Sequence, residues 1–137
     1  QRVPAVMRGR RVYFEVSASP HAAGTGSFIG ETLQRLGMAN VVTPDLGPFP
    51  KLNPEFVVRA APDLIMASAR NLAGMPARPG WQRLDALRNR QQCAFEPAQY
   101  EPLVRPGPRI GQAADTIADC LVKLAAAPAP APAAPRP

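Results

Sequence analysis

One histidine in 137 residues, His21, is the side chain with the widest chemical range. It stands in a loop of small residues, Ser17–Gly26. There an imidazole is either an exposed or capping group, or a contact and axial ligand to a bound metal complex. Tyr100 and Arg105 belong to a second loop, where the guanidinium either bonds loop carbonyls or pairs with a carboxylate of a ligand. Phe49, held between Pro48 and Pro50, reads as a rigid apolar wall for a ligand or as a plug of the core. Glu55 opens a helix, where it is either a dipole-favoured surface acid or a docking charge for a partner's arginine.

No catalytic constellation accompanies these residues. There is no G-x-S-x-G, and Ser17, Ser19, Ser27 and Ser68 have no activating context in a chain with one His. Gly24-Thr25-Gly26 supplies two glycines of a dinucleotide fingerprint, but Ile29 stands where the third belongs, with Asp45 as the only candidate for the ribose acid. A small nucleotide-binding enzyme domain built on Gly24–Ser27 at a helix start is therefore the second reading. A P-loop is excluded, because no glycine is followed by G-K-[ST]. Cys93 and Cys120 lie 27 residues apart, without C-x-x-C spacing, which argues against zinc. They form either one disulfide or two buried thiols. No resident metal or cofactor is expected.

The elements that must hold these residues alternate in type. Arg10–Val16 reads as a strand. Ser27 caps a helix over Phe28–Leu36, which Gly37 stops. Asn40–Val42 is a short strand, and Thr43–Leu52 a proline-broken loop. Asn53-Pro54-Glu55 starts a helix that runs to Ala60 or Ala61. Leu64–Ala67 suits a strand buried on both faces. Ser68–Pro79 reads as a loop, Gly80–Arg88 as a helix, Gln91–Phe95 as a fourth strand, Glu96–Pro108 as a loop and Arg109–Leu124 as the last helix. This order predicts an α/β, three-layer Rossmann-like fold with a mostly parallel sheet of about four strands. Ligands in such folds sit beyond the carboxyl ends of the strands, where 17–26, 43–52, 69–79 and 96–108 gather.

Pro and Gly make up about 20% of the chain, against roughly 12% in average usage. Residues 125–137, seven Ala, five Pro and one Arg, account for part of the excess and read as a disordered tail. Residues 10–124 remain as one domain's length, too short for two full lobes. The net charge is +6, and Arg2, Arg8, Arg10 and Arg11 carry +4 of it in a basic entry segment, 1–9, and the start of the first strand. That segment reads as a solvated linker or as a contact to an anionic partner. No Lys/Arg stripe interleaved with aromatics follows, so nucleic acid is not an expected partner. No apolar run is long enough to span a membrane, and the first residues lack the apolar core of a leader.

Taken in order, RVYFEV (11–16), GTGSFIGETLQRLGMANVV (24–42), GPFPKLNPEFVVRAAPDLIMAS (47–68), GWQRLDALRN (80–89) and RPGPRI (105–110) resemble a known family. It is the C-terminal lobe of helical-backbone (class III) periplasmic binding proteins, which serve ABC importers of vitamin B12, iron-siderophores and haem. The likeness is nearest to the vitamin B12-binding members. It implies a periplasmic, non-enzymatic protein whose partners are an importer permease, a metal-chelate small molecule (cobalamin, siderophore or haem) and an N-terminal lobe upstream, with 1–9 as the end of the inter-lobe linker. It also implies that Glu55 docks an arginine pocket on the permease, and that His21, Tyr100 and Arg105 face the ligand cleft. Family haem binders use Tyr or His as iron ligands, which makes His21 a candidate axial ligand.

Overall fold

The computed structural model describes residues 3–18, 20–104 and 110–126. Its central strand is β1 (Arg11–Ser17). One edge of β1 carries two short partners. β2 (His21–Ala22) pairs antiparallel with its end, and β3 (Ala39–Asn40) pairs parallel with its start. The other edge pairs in parallel with β4 (Leu64–Ser68), which pairs in parallel with β5 (Gln92–Phe95). The parallel strands therefore lie in the order β3-β1-β4-β5.

Alternation along the strands builds two cores, as period-2 geometry requires. Val12, Phe14, Leu64, Met66, Cys93 and Phe95 point to one face. There α1 (Phe28–Arg35), α5 (Pro97–Val104) and α6 (Ile110–Ala126) cover them through Ile29, Leu33, Leu103, Ile117 and Leu121. Tyr13, Ile65 and Ala67 point to the other face. They meet α2 (Pro54–Ala60), α3 (Ala69–Gly74) and α4 (Asp85–Arg88) through Val57, Leu72 and Ala86, with Trp81 beside them. The mixed α/β, mostly parallel architecture is the one expected. Among the described residues, no helix is long and apolar enough to cross a membrane.

Six local readings are corrected. The loop 17–26 contains β2, which makes five strands in place of four. The loop 68–79 contains α3, capped by Ser68 Oγ accepting from the Asn71 N–H, and a 3-10 turn at Met75–Ala77. The loop 96–108 contains α5, in spite of Pro102 inside it. The helix 80–88 divides into a 3-10 turn (Trp81–Arg83) and α4, because Leu84 between them is extended at ψ 126°. The second predicted strand ends early at Asn40, whose side-chain oxygen accepts from the Val42 N–H and whose amide donates to the Ala23 carbonyl. The last helix runs to Ala126, two residues past its expected end, and the tail beyond lies outside the described residues.

The ends of β1 and β5 are tied to helices. Arg11 donates from its guanidinium to the carbonyls of Ala60 and Ala61, capping α2, while its backbone N–H bonds Asp63. Cys93 of β5 and Cys120 of α6 form a disulfide, which resolves the alternative left open above. Closing a loop of 27 residues removes enough unfolded-state entropy to be worth about 3.5 kcal/mol. Cys93→Ser/Cys120→Ser is therefore expected to lose about that much stability in urea denaturation, and reductant is expected to weaken the native chain and leave the double variant unchanged.

Candidate functional site

The chain passes from β1 to β3 on one side and then crosses to β4 on the other. The loops after β1 and β4 thus diverge at the carboxyl edge, the position where open α/β sheets leave a crevice. The loop after β1 does not stay loose there. Its residues zip against the 48–52 segment: Ala22 N–H donates to the Pro50 carbonyl (3.0 Å), Gly24 N–H to Pro48 (2.7 Å) and Leu52 N–H to Pro20 (2.9 Å). His21 lies opposite Lys51 in this ladder.

The glycines of the possible nucleotide turn serve this packing. A Cβ on Gly24 would stand 2.2 Å from the Gly47 carbonyl oxygen, and one on Gly30 would stand 1.9 Å from that of Gly24. Ser27, buried, accepts from the Gly30 N–H (3.0 Å) and donates to the Gly24 carbonyl (2.7 Å). The Gly24 and Gly30 amides are therefore engaged within the fold. Beside this turn runs a groove of about 450 Å³ lined by Thr25, Gly26, Gly30, Gln34, Asn40 and Pro44.

His21 is half-buried, and its Nδ1 lies 3.2 Å from Ser17 Oγ. The contact follows from register, since Ser17 and His21 are cross-strand neighbours in the β1–β2 pair. Ser17, read from sequence as a serine without context, thus gains an imidazole neighbour. Tyr100 sits on α5 with its ring nearly parallel to Phe14 at 6.5 Å, and its hydroxyl donates to the Val16 carbonyl at 2.7 Å. Burial, with the nearby charges of Glu15 and Glu101, pushes this phenol up to about 12. The last residues of β1 therefore gather two predicted residues, Tyr100 on Val16 and His21 on Ser17. Phe49 projects from the zipped loop 54% exposed, and so does not plug the core. Glu55 is also exposed; its N–H is held by Asn53 Oδ1 at 2.9 Å, and its carboxylate lies 4.0 Å from Arg59. Arg105 lies outside the described residues.

The strongest electrostatic feature of this edge is one that sequence reasoning missed. Glu15, fully buried near the end of β1, receives both ends of the Arg78 guanidinium, at 2.6 Å and 2.8 Å. The Tyr13 hydroxyl donates to the same carboxylate at 2.8 Å. Arg78 stacks over Trp81 at 4.5 Å, Trp81 meets Tyr13 edge-on at 5.9 Å, and its indole N–H donates to the Pro54 carbonyl. Burial, reinforced by the Glu15 charge, drives the Tyr13 phenol far above its ordinary range, and the hydrogen bond to Glu15 raises Arg78. The signal was present in RVYFEV: an acid in an otherwise apolar strand requires a buried cation partner. Arg78→Met, which strands the buried carboxylate, is expected to cost about 3–5 kcal/mol in urea denaturation, and adding Glu15→Gln is expected to restore part of it.

Residues 1–95 match the family model for periplasmic binding proteins. No curated protein matches the chain. Among solved structures, the periplasmic vitamin B12-binding protein BtuF of Vibrio cholerae superposes with a TM-score of 0.72 at 23% identity, over 90% of this chain and 48% of that one. The periplasmic haem-binding protein BhuT gives 0.70 at 24% identity, over 89% and 47%. The haem-binding protein RhuT from Roseiflexus sp. RS-1 gives 0.67 at 24%, over 86% and 48%. The chain spans about half the length of each of these structures.

Proposed function

The chain belongs to the periplasmic binding protein family, and from that premise we propose that it is the C-terminal lobe of a solute receptor delivering a metal-chelate ligand to an ABC importer. The carrying observation is the carboxyl edge, where the end of β1 holds His21 and Tyr100 and the zipped loop projects Phe49. An apolar ring and an imidazole on a fixed wall suit a large, flat chelate such as cobalamin, a ferric siderophore or haem. The Cys93–Cys120 disulfide supports a periplasmic location, because such bonds persist in oxidising compartments. The reading assigns no catalysis and a second lobe as the opposite wall.

One wall buries too little of a bulky ligand for tight binding. Cobalamin, a ferric siderophore and haem, each titrated into the chain, are expected to bind in the micromolar range or weaker for the matching ligand, shifting the resonances of His21 and Phe49. A nucleotide is expected to leave the Gly26–Phe28 amides unmoved. Nanomolar binding by this chain would remove the half-cleft reading, and no response to any of the three chelates would remove the ligand class.

Glu55 supports the docking half of the proposal, as an exposed acid at a helix start beside the cleft edge. In the receptor acting with its importer, Glu55→Arg is expected to cut uptake by roughly tenfold or more, the scale of a lost and reversed ion pair. Unchanged uptake would take Glu55 out of the docking surface.

A further inference from the structure

Resting on the metal-chelate reading above, we infer that the ligand is an anionic chelate whose peripheral carboxylates are held by Lys51 and Arg70, on either side of His21. Strand register sets these residues in a row along the carboxyl edge. Lys51 bridges His21 in the antiparallel ladder, and His21 pairs with Ser17 on the next strand. Residues facing each other across such a ladder project to one face with Cβ atoms about 5 Å apart, so the Lys51 side chain stands beside the imidazole. On its other edge β1 pairs with β4, Phe14 facing Met66. That register brings Ser68, the last residue of β4, level with the end of β1, and Arg70 follows in the first turn of α3. From the 48–52 segment to β4 is three strand spacings, about 14 Å. Lys51 and Arg70 thus flank His21 and Ser17 across a width that suits a flat macrocycle with charged arms.

Folding does not account for these two cations. A helix dipole favours acids in its first turn and disfavours cations there, yet Arg70 occupies the first turn of α3 with no acid beside it. Lys51 gives the ladder its backbone, which any residue could supply. Both side chains are exposed, and neither forms an ion pair among the described residues. The helix-end cations are different, because each has an acid one turn before it: Glu31 before Arg35, Glu55 before Arg59, Asp85 before Arg88 and Asp119 before Lys123.

The acids of the carboxyl edge do not enter the row. Glu15 is buried and taken up by Arg78. Asp45 lies on the 3-10 turn Pro44–Leu46, Glu96 follows β5, and Glu101 is on α5. An ammonium and a guanidinium so placed pair with carboxylates. Haem and carboxylate siderophores carry them, whereas the amide periphery of cobalamin offers no counter-charge.

Titration with haemin and with haemin dimethyl ester, in the same aqueous dimethyl sulfoxide, tests this, since the two share metal and ring and differ only in the carboxylates. Haemin is expected to bind in the micromolar range, read from the Soret band, and the ester about tenfold more weakly, the product of two exposed ion pairs worth about threefold each. Added salt is expected to narrow the gap. Lys51→Gln and Arg70→Gln are each expected to weaken haemin binding about threefold and to leave the ester within about twofold, and the double variant to bind the two alike. Arg35→Gln/Arg90→Gln, which removes the same charge from the opposite edge, is expected to change neither. Binding of a carboxylate-type ferric siderophore in place of haemin, weakened by the same two variants, would support the same ligand class. Equal binding of haemin and its ester, or equal losses from the two double variants, would overturn the inference and leave the chelate reading standing. Binding confined to cobalamin or to an uncharged ferric hydroxamate would do the same. No binding of any of these chelates would remove the chelate reading and the anionic class with it. Circular dichroism on every variant separates these outcomes from unfolding.

Discussion

A carboxylate buried in the central strand of a parallel sheet has to be answered where it stands. Glu15 has no water to turn to, and leaving its charge unpaired at that depth would take a large part of the domain's margin of stability. The answer comes from 63 residues away, as a bidentate guanidinium. Because Arg78 must be in that place, the chain from α3 through Trp81 is drawn over the carboxyl end of β1. Tyr13 and Trp81 then complete the enclosure, one donating to the carboxylate and the other covering the guanidinium. Such a pair adds less net stability than its geometry suggests, since both charges were desolvated to make it. Its consequence is position: the segment after β4 has one place to be, at the point where the sheet's loops diverge.

That dependence explains what could be read from the chain. The elements with local signals were legible. The Ser27 and Asn53 caps, the apolar stripe of α1 and the runs at β1 and β4 all act within a few residues of themselves, and they were enough to give the layer order and the parallel sheet. The misread elements carry their evidence elsewhere. β2 exists because of residues 48–52, far along the chain. α3 and α5 are too short for a helical period to rise above their Gly and Pro, and they fold because Leu72 and Leu103 have cores to enter. Of the site, the loops and the prominence of His21 and Phe49 were legible from residue type, but the contact of His21 with Ser17 needed the register. The Glu15–Arg78 pair was half visible: the acid was out of character for its strand, but nothing local named its partner.

The two edges of the sheet also diverge in what orders them. The amino edge is held by backbone caps and by Arg11 on the end of α2. The carboxyl edge is ordered by pairing between loops and by the ends of β1. Strand direction underlies this split, because the parallel strands all start at the amino edge and all end at the carboxyl edge.

Proline completes the carboxyl edge by what it cannot do. In an antiparallel pair, facing residues normally exchange two bonds, N–H to carbonyl in each direction. Pro48 and Pro50 accept from Gly24 and Ala22 but have no N–H to return. The Gly24 carbonyl is thereby left open on that side, and it accepts instead from the Ser27 hydroxyl and the Ser27 N–H, at 2.7 Å and 3.1 Å. The same serine caps α1. One missing donor thus couples three segments: the loop after β3 docks on β2, the turn after β2 closes, and the first helix starts where that turn ends. A non-proline residue at 48 would offer an N–H to compete for the Gly24 carbonyl and loosen the cap. The proline content that first suggests disorder is, in this loop, the source of a fixed wall from which Phe49 projects.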